Sequence, residues 1–301
     1  MARGLMRNSR PYQWRRSSSR WTLVLTVLLT LSVVLLLLLA LGIFSLPVSS
    51  DSSEVEHPVE RHLESTSHAP KRKVAHSDGL GTRGDQWTEV LSWEPRAFMY
   101  HNFLSREECE YLIELAKPHM EKSTVVDSET GQSKDSRVRT SSGTFLKRGQ
   151  DKIIRAIEKR IADFTFIPVE HGEGLQILHY EFGQKYEPHW DYFLDEVNTQ
   201  NGGQRIATLL MYLSDVEEGG ETIFPSASSV NISAIPDYNE LSECGRKGLG
   251  VKPRMGDALL FWSMKPDATL DELSLHGGCP VIKGNKWSST KWMRVHEFKA
   301  Y

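Results

Sequence analysis

Hydrophobic and polar positions divide the chain into stretches of different character. From 21 to 46 there is no charged residue, and most positions are Leu, Val or Thr. A helix needs about 20 apolar residues to cross a bilayer core, and this run allows for some tilt. A cleaved signal peptide has a shorter apolar region, about 7–15 residues, ending at a small-residue site. Ala40-Leu41-Gly42 makes a poor one, so the pattern predicts a retained transmembrane signal anchor over 21–46. Ser, Glu, His, Pro and Lys dominate 47–85, which has too few large apolar residues to offset its ordering entropy. It is expected to be a flexible stem, its histidines His57, His62 and His68 solvated.

Folded periodicities begin near residue 86. Strand character runs over 87–103, including Ala97-Phe98-Met99-Tyr100. Ser105 with Glu108 three residues on is a capping box. Leu112, Ile113, Leu115 and Ala116 supply the apolar stripe of the helix it opens, and Pro118 closes that helix. A polar stretch over 121–150 predicts a long loop or hairpin with Arg137, Arg139 and Lys147 exposed. Ile153, Ile154, Ile157 and Ile161 recur at helical spacing and predict a second helix over 151–164. From 175 onward short strands alternate with Gly, Asp and Pro. The candidates are 175–180, 186–191, 205–213, 221–224, 257–262 and 289–298, with turns at 215–220 and 255–257. The expected fold class is mainly β with flanking helices (α+β), a sandwich or jelly roll preceded by one transmembrane helix.

Composition changes this picture little. The chain has 301 residues, 39% hydrophobic and 25% charged, with a net charge of -3. That balance gives no basic surface for a nucleic-acid partner. The charge is uneven, however. Arg3, Arg7, Arg10, Arg15, Arg16 and Arg20 flank the apolar run with no acid in 1–20. Such a flank stays cytoplasmic, which predicts a type II protein with 86–301 as a lumenal catalytic domain. An oxidising lumen permits a disulfide. Cys109 falls in a helix, whereas Cys244 and Cys279 fall in loop-like stretches, so these two are the expected pair. Asn231-Ile232-Ser233 is the one N-glycosylation sequon.

The chemistry centres on 175–191. After the 175–180 strand and a Gly-centred turn comes His189-Trp190-Asp191. In an extended segment, residues two apart share a face. His189 and Asp191 would thus aim an imidazole and a carboxylate at one point, with Trp190 on the other side. His276 is the only His between Asp191 and His296 and completes a candidate set of three. Such a set leaves positions open on an octahedral Fe(II); the same donors suit Zn(II). Lys286 follows ten residues after His276 and sits among Trp287 and Trp292. An unpaired ammonium in an apolar setting is costly, and an anionic ligand would satisfy it. His171-Gly172-Glu173 is a second His-x-acid but reads as a loop, and His179 as a hydrogen-bonded core residue. Trp190, Trp262 and Trp287 read as packing, Glu217 and Glu218 as a solvated turn.

YxxGQxYxxHxD (180–191), GGQRIATLLMYL (202–213), EEGGET (217–222), GDALLFW (256–262) and LHGGCPVxxGNKWSSTKW (275–292) resemble the prolyl 4-hydroxylase family, above all its membrane-anchored plant members. The likeness covers nearly all of 90–299. It implies a double-stranded β-helix core using Fe(II), 2-oxoglutarate, O2 and L-ascorbate. It also implies that His189, Asp191 and His276 ligate iron, and that Lys286 and Tyr180 bind 2-oxoglutarate. Arg139, Ser141, Glu173, Tyr186, Arg205 and Trp292 are similar to residues of the peptide groove or its support. Arg294 stands where an algal relative has His. The implied reaction is procollagen-type 4-hydroxylation of proline, with 2-oxoglutarate decarboxylated to succinate. The implied substrates are proline-rich peptides in polyproline II form, namely cell-wall glycoproteins such as extensins and arabinogalactan proteins. The implied location is the endoplasmic reticulum or Golgi membrane. A related hydroxylase acting on another side chain and a catalytically silent peptide-binding protein are the alternatives.

Overall fold

The computed structural model describes residues 24–25, 27–32, 79–126, 133–135, 138–227 and 238–300. Residues 24–25 and 27–32 are helical. The rest of the expected anchor, nearly all of the stem and the sequon at Asn231 lie outside the described residues. Among the described residues, no helix is long and apolar enough to cross a membrane. The chain divides into two units, Met1–Pro70 and Lys71–Tyr301, and every strand among the described residues belongs to the second.

This second unit is mainly β with few helices. Its strands are β1 (Trp87–Trp93), β2 (Arg96–His101), β3 (Glu121–Lys122), β4 (Thr124–Val126), β5 (Ser133–Asp135), β6 (Ser142–Leu146), β7 (Leu175–Tyr180) and β8 (Tyr186–His189). After these come β9 (Arg205–Tyr212), β10 (Glu218–Gly219), β11 (Thr222–Phe224), β12 (Leu249–Val251), β13 (Ala258–Trp262), β14 (His276–Gly278), β15 (Val281–Lys283) and β16 (Lys286–Arg294). An eight-stranded sheet has the order β1-β2-β13-β9-β16-β7-β6-β3, and a four-stranded sheet the order β12-β11-β14-β8. The pairs β10-β15 and β4-β5 stand apart.

Both helices form where the pattern places them. The first, Arg106–Ala116, has the full capping box: Ser105 accepts from Glu108 N, and the Glu108 side chain accepts from Ser105 N. A short 3-10 turn, Lys117–His119, carries the chain past Pro118. The second, Lys152–Thr165, is capped by Asp151, whose Oδ1 accepts from Ile153 N at 2.8 Å and Ile154 N at 2.9 Å. Phe166 ends it in the left-handed region. The Arg160 guanidinium of the second helix donates to both Glu108 oxygens of the first at 2.8 Å, tying the helices together.

These helices cover one face of the large sheet. Leu112 and Ala116 from the first, and Ile154, Ile157 and Ile161 from the second, share a core with Leu175, Ile177, Leu209, Met211 and Met293. Truncating one such side chain to Ala costs roughly 2–5 kcal/mol. Strand alternation then dictates the opposite face. On β7, Leu175 and Ile177 face the helices, while Gln176, Leu178 and Tyr180 line a cavity. On β16, Lys291 reaches Glu158 of the second helix at 2.6 Å, while Lys286, Ser288, Thr290 and Trp292 line that cavity. The four-stranded sheet contributes Tyr186, His189, Thr222 and His276 to the same walls.

Several sequence expectations shift. The 121–150 stretch is not one loop or hairpin: β3 and β6 extend the large sheet, and β4 pairs with β5. Arg139 is buried rather than exposed, because Gln176 and the Thr124 carbonyl accept from its guanidinium. The 186–191 strand stops at His189, and Asp191 follows in a bend. The last strand is Lys286–Arg294 rather than 289–298, since Lys286 pairs with Tyr180 on β7; His296 lies beyond it, exposed. The expected disulfide joins Cys244 and Cys279, and Cys109 is free and buried.

Candidate active site

Strand register brings the first two donors together. His276 on β14 is the direct partner of His189 on β8, and their ring centroids lie 4.5 Å apart. Asp191 swings in just after β8 ends. Its Oδ1 lies 3.7 Å from His189 Nε2, and its Oδ2 3.6 Å from His276 Nε2. A donor atom from each of the three falls within 4.8 Å of the others.

The surroundings prepare these groups for a cation. His189 Nδ1 lies 2.9 Å from the Glu187 carbonyl, and His276 Nδ1 lies 2.9 Å from the Ser274 carbonyl. A carbonyl can only accept, so each Nδ1 carries a proton and each Nε2 is the atom turned toward Asp191. Burial, reinforced by His276, holds the His189 imidazolium down at about 3, so the ring is neutral. Burial pushes the Asp191 carboxyl up, but His276, His189, Arg205 and the Thr208 hydroxyl outweigh it and hold it at about 2. Thr208 Oγ1 donates to Asp191 Oδ2 at 2.6 Å. Two imidazoles and an ionised carboxylate, aimed at one point, fit a divalent metal with positions left open.

The cavity beside this cluster has about 480 Å³ of atom-free space, its open mouth included. Lys286 lines it and is 4% exposed. Of the two tryptophans expected around it, Trp292 lines the same cavity and Trp287 does not. The Tyr180 and Tyr212 rings lie 5.6 Å from Nζ, and Trp287 faces away, stacked on His179 at 4.1 Å. Lys286 Nζ donates to the Gly220 carbonyl at 2.7 Å, and it forms no ion pair among the described residues. That carbonyl comes from a turn that requires glycine: a Cβ on Gly219, at φ +77, would meet the Pro280 carbonyl at 2.3 Å. Burial lowers the Lys286 ammonium to about 8, against the opposing pull of Glu221. Ser288 Oγ, on the same wall, is buried without a hydrogen-bond partner among the described residues. A buried ammonium and an orphaned hydroxyl fit a bound carboxylate.

A wider groove of about 1240 Å³ of atom-free space opens from the cluster. Tyr186 stacks on His189 at 3.6 Å, and burial pushes its phenol up to about 12. The Arg139 guanidinium lies 4.7 Å from the Tyr186 ring. Arg205 and Trp292 also line the groove. Glu173 does not; it is buried and grips Arg205 (2.7 and 2.9 Å) and Arg294 (2.7 Å). Arg294 therefore helps support Arg205 through Glu173, and also donates to the Asn198 and Gly203 carbonyls. Ser141 lines neither space; it is buried and bonded to the Ser123 hydroxyl at 3.0 Å. Trp190, expected as packing, is 39% exposed and lines the groove.

Two residues of the site, Thr208 and Ser288, have no place in the sequence reading. Ser288 is within its reach, because it alternates with Lys286 on one strand. Thr208 carries only a weak signal, a hydroxyl in the otherwise apolar run of β9.

A family model described as the 2OG-Fe(II) oxygenase superfamily matches residues 175–294. Probable prolyl 4-hydroxylase 3 of Arabidopsis thaliana is 74% identical over 262 residues, which is 87% of this chain and 88% of that protein. Prolyl 4-hydroxylase 5 of the same plant is 65% identical over 288 residues, 96% of each chain. Among solved structures, the 2OG complex of the viral collagen prolyl hydroxylase from Paramecium Bursaria Chlorella virus-1 is 27% identical. The match covers 66% of this chain and 95% of that one, with a TM-score of 0.48.

Proposed function

The chain belongs to the plant prolyl 4-hydroxylase family, and from that premise we propose that it hydroxylates prolines in proline-rich secretory glycoproteins of the extensin and arabinogalactan type. It is a 2-oxoglutarate- and Fe(II)-dependent dioxygenase acting on proline. Bound Fe(II), with 2-oxoglutarate and O2, supplies the oxidation: one oxygen atom enters a prolyl C–H bond as hydroxyl and the other enters succinate, with release of CO2.

The protein's residues bind, orient and exclude. We assign the metal to His189, Asp191 and His276. The distal carboxylate of 2-oxoglutarate goes to Lys286, with Tyr180 beside it and Ser288 as a further donor. L-ascorbate is the expected reductant. Tyr186, Arg139, Arg205 and Trp292 receive the peptide, because aromatic grooves take polyproline II segments at low entropic cost. Glu173 acts through Arg205, and Ser141 contributes only to packing behind the groove. The eight- and four-stranded sheets are read as the two halves of a double-stranded β-helix.

One observation carries this reading: the three-donor cluster and a buried lysine share one cavity that opens on an aromatic groove. The test is purified protein with Fe(II), 2-oxoglutarate and poly(L-proline). Succinate should form together with a gain of one oxygen mass on proline. Poly(L-proline) that gains no oxygen mass would overturn the substrate assignment.

We further propose a type II topology, with 21–46 as the anchor, 86–301 lumenal in the endoplasmic reticulum or Golgi, and Asn231 glycosylated. The arginine-rich flank and the Cys244–Cys279 disulfide support it. Protection of the C-terminal part from protease in sealed microsomes tests it; cleavage there would reverse the orientation.

A further inference from the structure

Trp190 sits between two metal ligands, His189 and Asp191, yet it is not a core residue. Its indole Nε1 donates to the Glu272 carbonyl at 3.0 Å. Its ring stacks on Tyr192, with centroids 5.7 Å apart and planes inclined by 25°. Tyr192 itself is buried. The indole is thus pinned at one edge and backed by a second ring, and it remains 39% exposed at the groove. A side chain present only for packing would bury its faces. Its fixed orientation removes the entropy that a mobile surface tryptophan loses on binding.

Chain geometry limits what can reach it. Consecutive Cα atoms are about 3.8 Å apart, so Trp190 is anchored within one residue of two donors of the cluster. A peptide that presents a proline there must run past the indole. One polyproline II turn is about 9 Å long, so a prolyl ring within a turn of the target reaches this surface. Phe145, 58% exposed and tilted against Trp292 at 6.4 Å, lines the same groove.

We propose that the Trp190 indole is a second prolyl-ring subsite, through which the enzyme selects targets that have another proline within one polyproline II turn. This rests on the reading of the substrates as proline-rich. The surface is continuous with the cluster where the target proline must sit, and a flat, rigid aromatic with a free face matches a prolyl ring.

The test crosses enzyme and peptide variants. Decapeptides of proline, each with one flanking proline replaced by alanine, are assayed for KM with wild type, Trp190→Ala and Trp190→Phe. In the wild type, one flanking replacement should raise KM by about fivefold. With Trp190→Ala the all-proline peptide should already have that higher KM, and the same replacement should add nothing. Trp190→Phe keeps a ring and should restore part of the dependence, which also covers poor folding of the alanine variant. Direct binding of the decamers to the Mn(II)-loaded proteins, followed by calorimetry, should show the same pattern without turnover. Additive effects at every flanking position would overturn the subsite. Failure of the wild type to hydroxylate any of the decamers would instead overturn the proline-rich reading itself.

Discussion

The guanidinium of Arg205 lies 3.8 Å from the centre of the Trp292 indole, fixed there by two bonds from Glu173. Arg294 holds the same carboxylate from another side. Burial opposes the charge on Glu173, but the two arginines outweigh it and hold its carboxyl below the ordinary range. One buried acid therefore sets the position of a groove residue while lying outside the groove itself. Breaking a buried pair costs about 3–5 kcal/mol when a charge is left behind. Glu173→Ala strands two cations, whereas Arg205→Ala leaves Glu173 paired with Arg294. Glu173→Ala should lower Tm by roughly 6–20 °C, more than Arg205→Ala does, and both should raise the peptide KM. Scanning calorimetry and steady-state kinetics check the order.

Lys286 predicts how 2-oxoglutarate binding depends on pH. Its proton is held in the unfolded chain up to the ordinary value of 10.5, but only to about 8 in the folded, unliganded protein. Between those values the unfolded state binds more protons, so this group makes the unliganded fold more stable as pH rises, not less. Binding a carboxylate must restore the proton. The 2-oxoglutarate Kd should therefore rise about fivefold from pH 8 to pH 9. Lys286→Arg, which stays charged, should give a flat profile whatever its affinity. Calorimetric titration of the Mn(II)-loaded protein measures both, and a flat wild-type profile would refute the assignment.

Thr208 should matter to the metal without touching it. Its bond to Asp191 Oδ2 at 2.6 Å directs the carboxylate toward the two imidazoles. Thr208→Val preserves shape and removes the bond. Metal affinity should fall about 10–100-fold, measured by competition with a chelator, while the melting profile in the absence of metal changes little.

The Cys244–Cys279 bridge closes a loop with a sequence separation of 35. Cys279 lies on the chain three residues past His276, and its N–H donates to the Glu221 carbonyl at 2.8 Å. Loss of such a bridge costs about 2–5 kcal/mol. The paired variant Cys244→Ser/Cys279→Ser should melt roughly 4–20 °C lower and bind metal more weakly than wild type. Calorimetry and metal titration under non-reducing conditions measure the two effects.

Much of this protein is determined by local sequence. Capping chemistry and helical spacing set both helices, since the signals at Ser105, Asp151 and the isoleucine stripe act within a few residues. Alternation places β7. The motifs around His189, Asp191, His276 and Lys286 identify the cluster and the buried lysine that shares its cavity through family likeness, and the loop placement of Cys244 and Cys279 picks out the disulfide. Tertiary structure alone decides the pairings across strands. Alternation says which residues share a face, not which strand lies opposite or in what register. So the facing of His189 and His276, the Thr208 bond to Asp191, the burial of Arg139 between Gln176 and Tyr186, and the grip of Glu173 on two arginines appear only in the fold. Trp190 shows the same division. Its sequence position, between two ligands on a predicted strand, implies a side chain turned away into packing; the end of β8 at His189 frees it to lie along the groove.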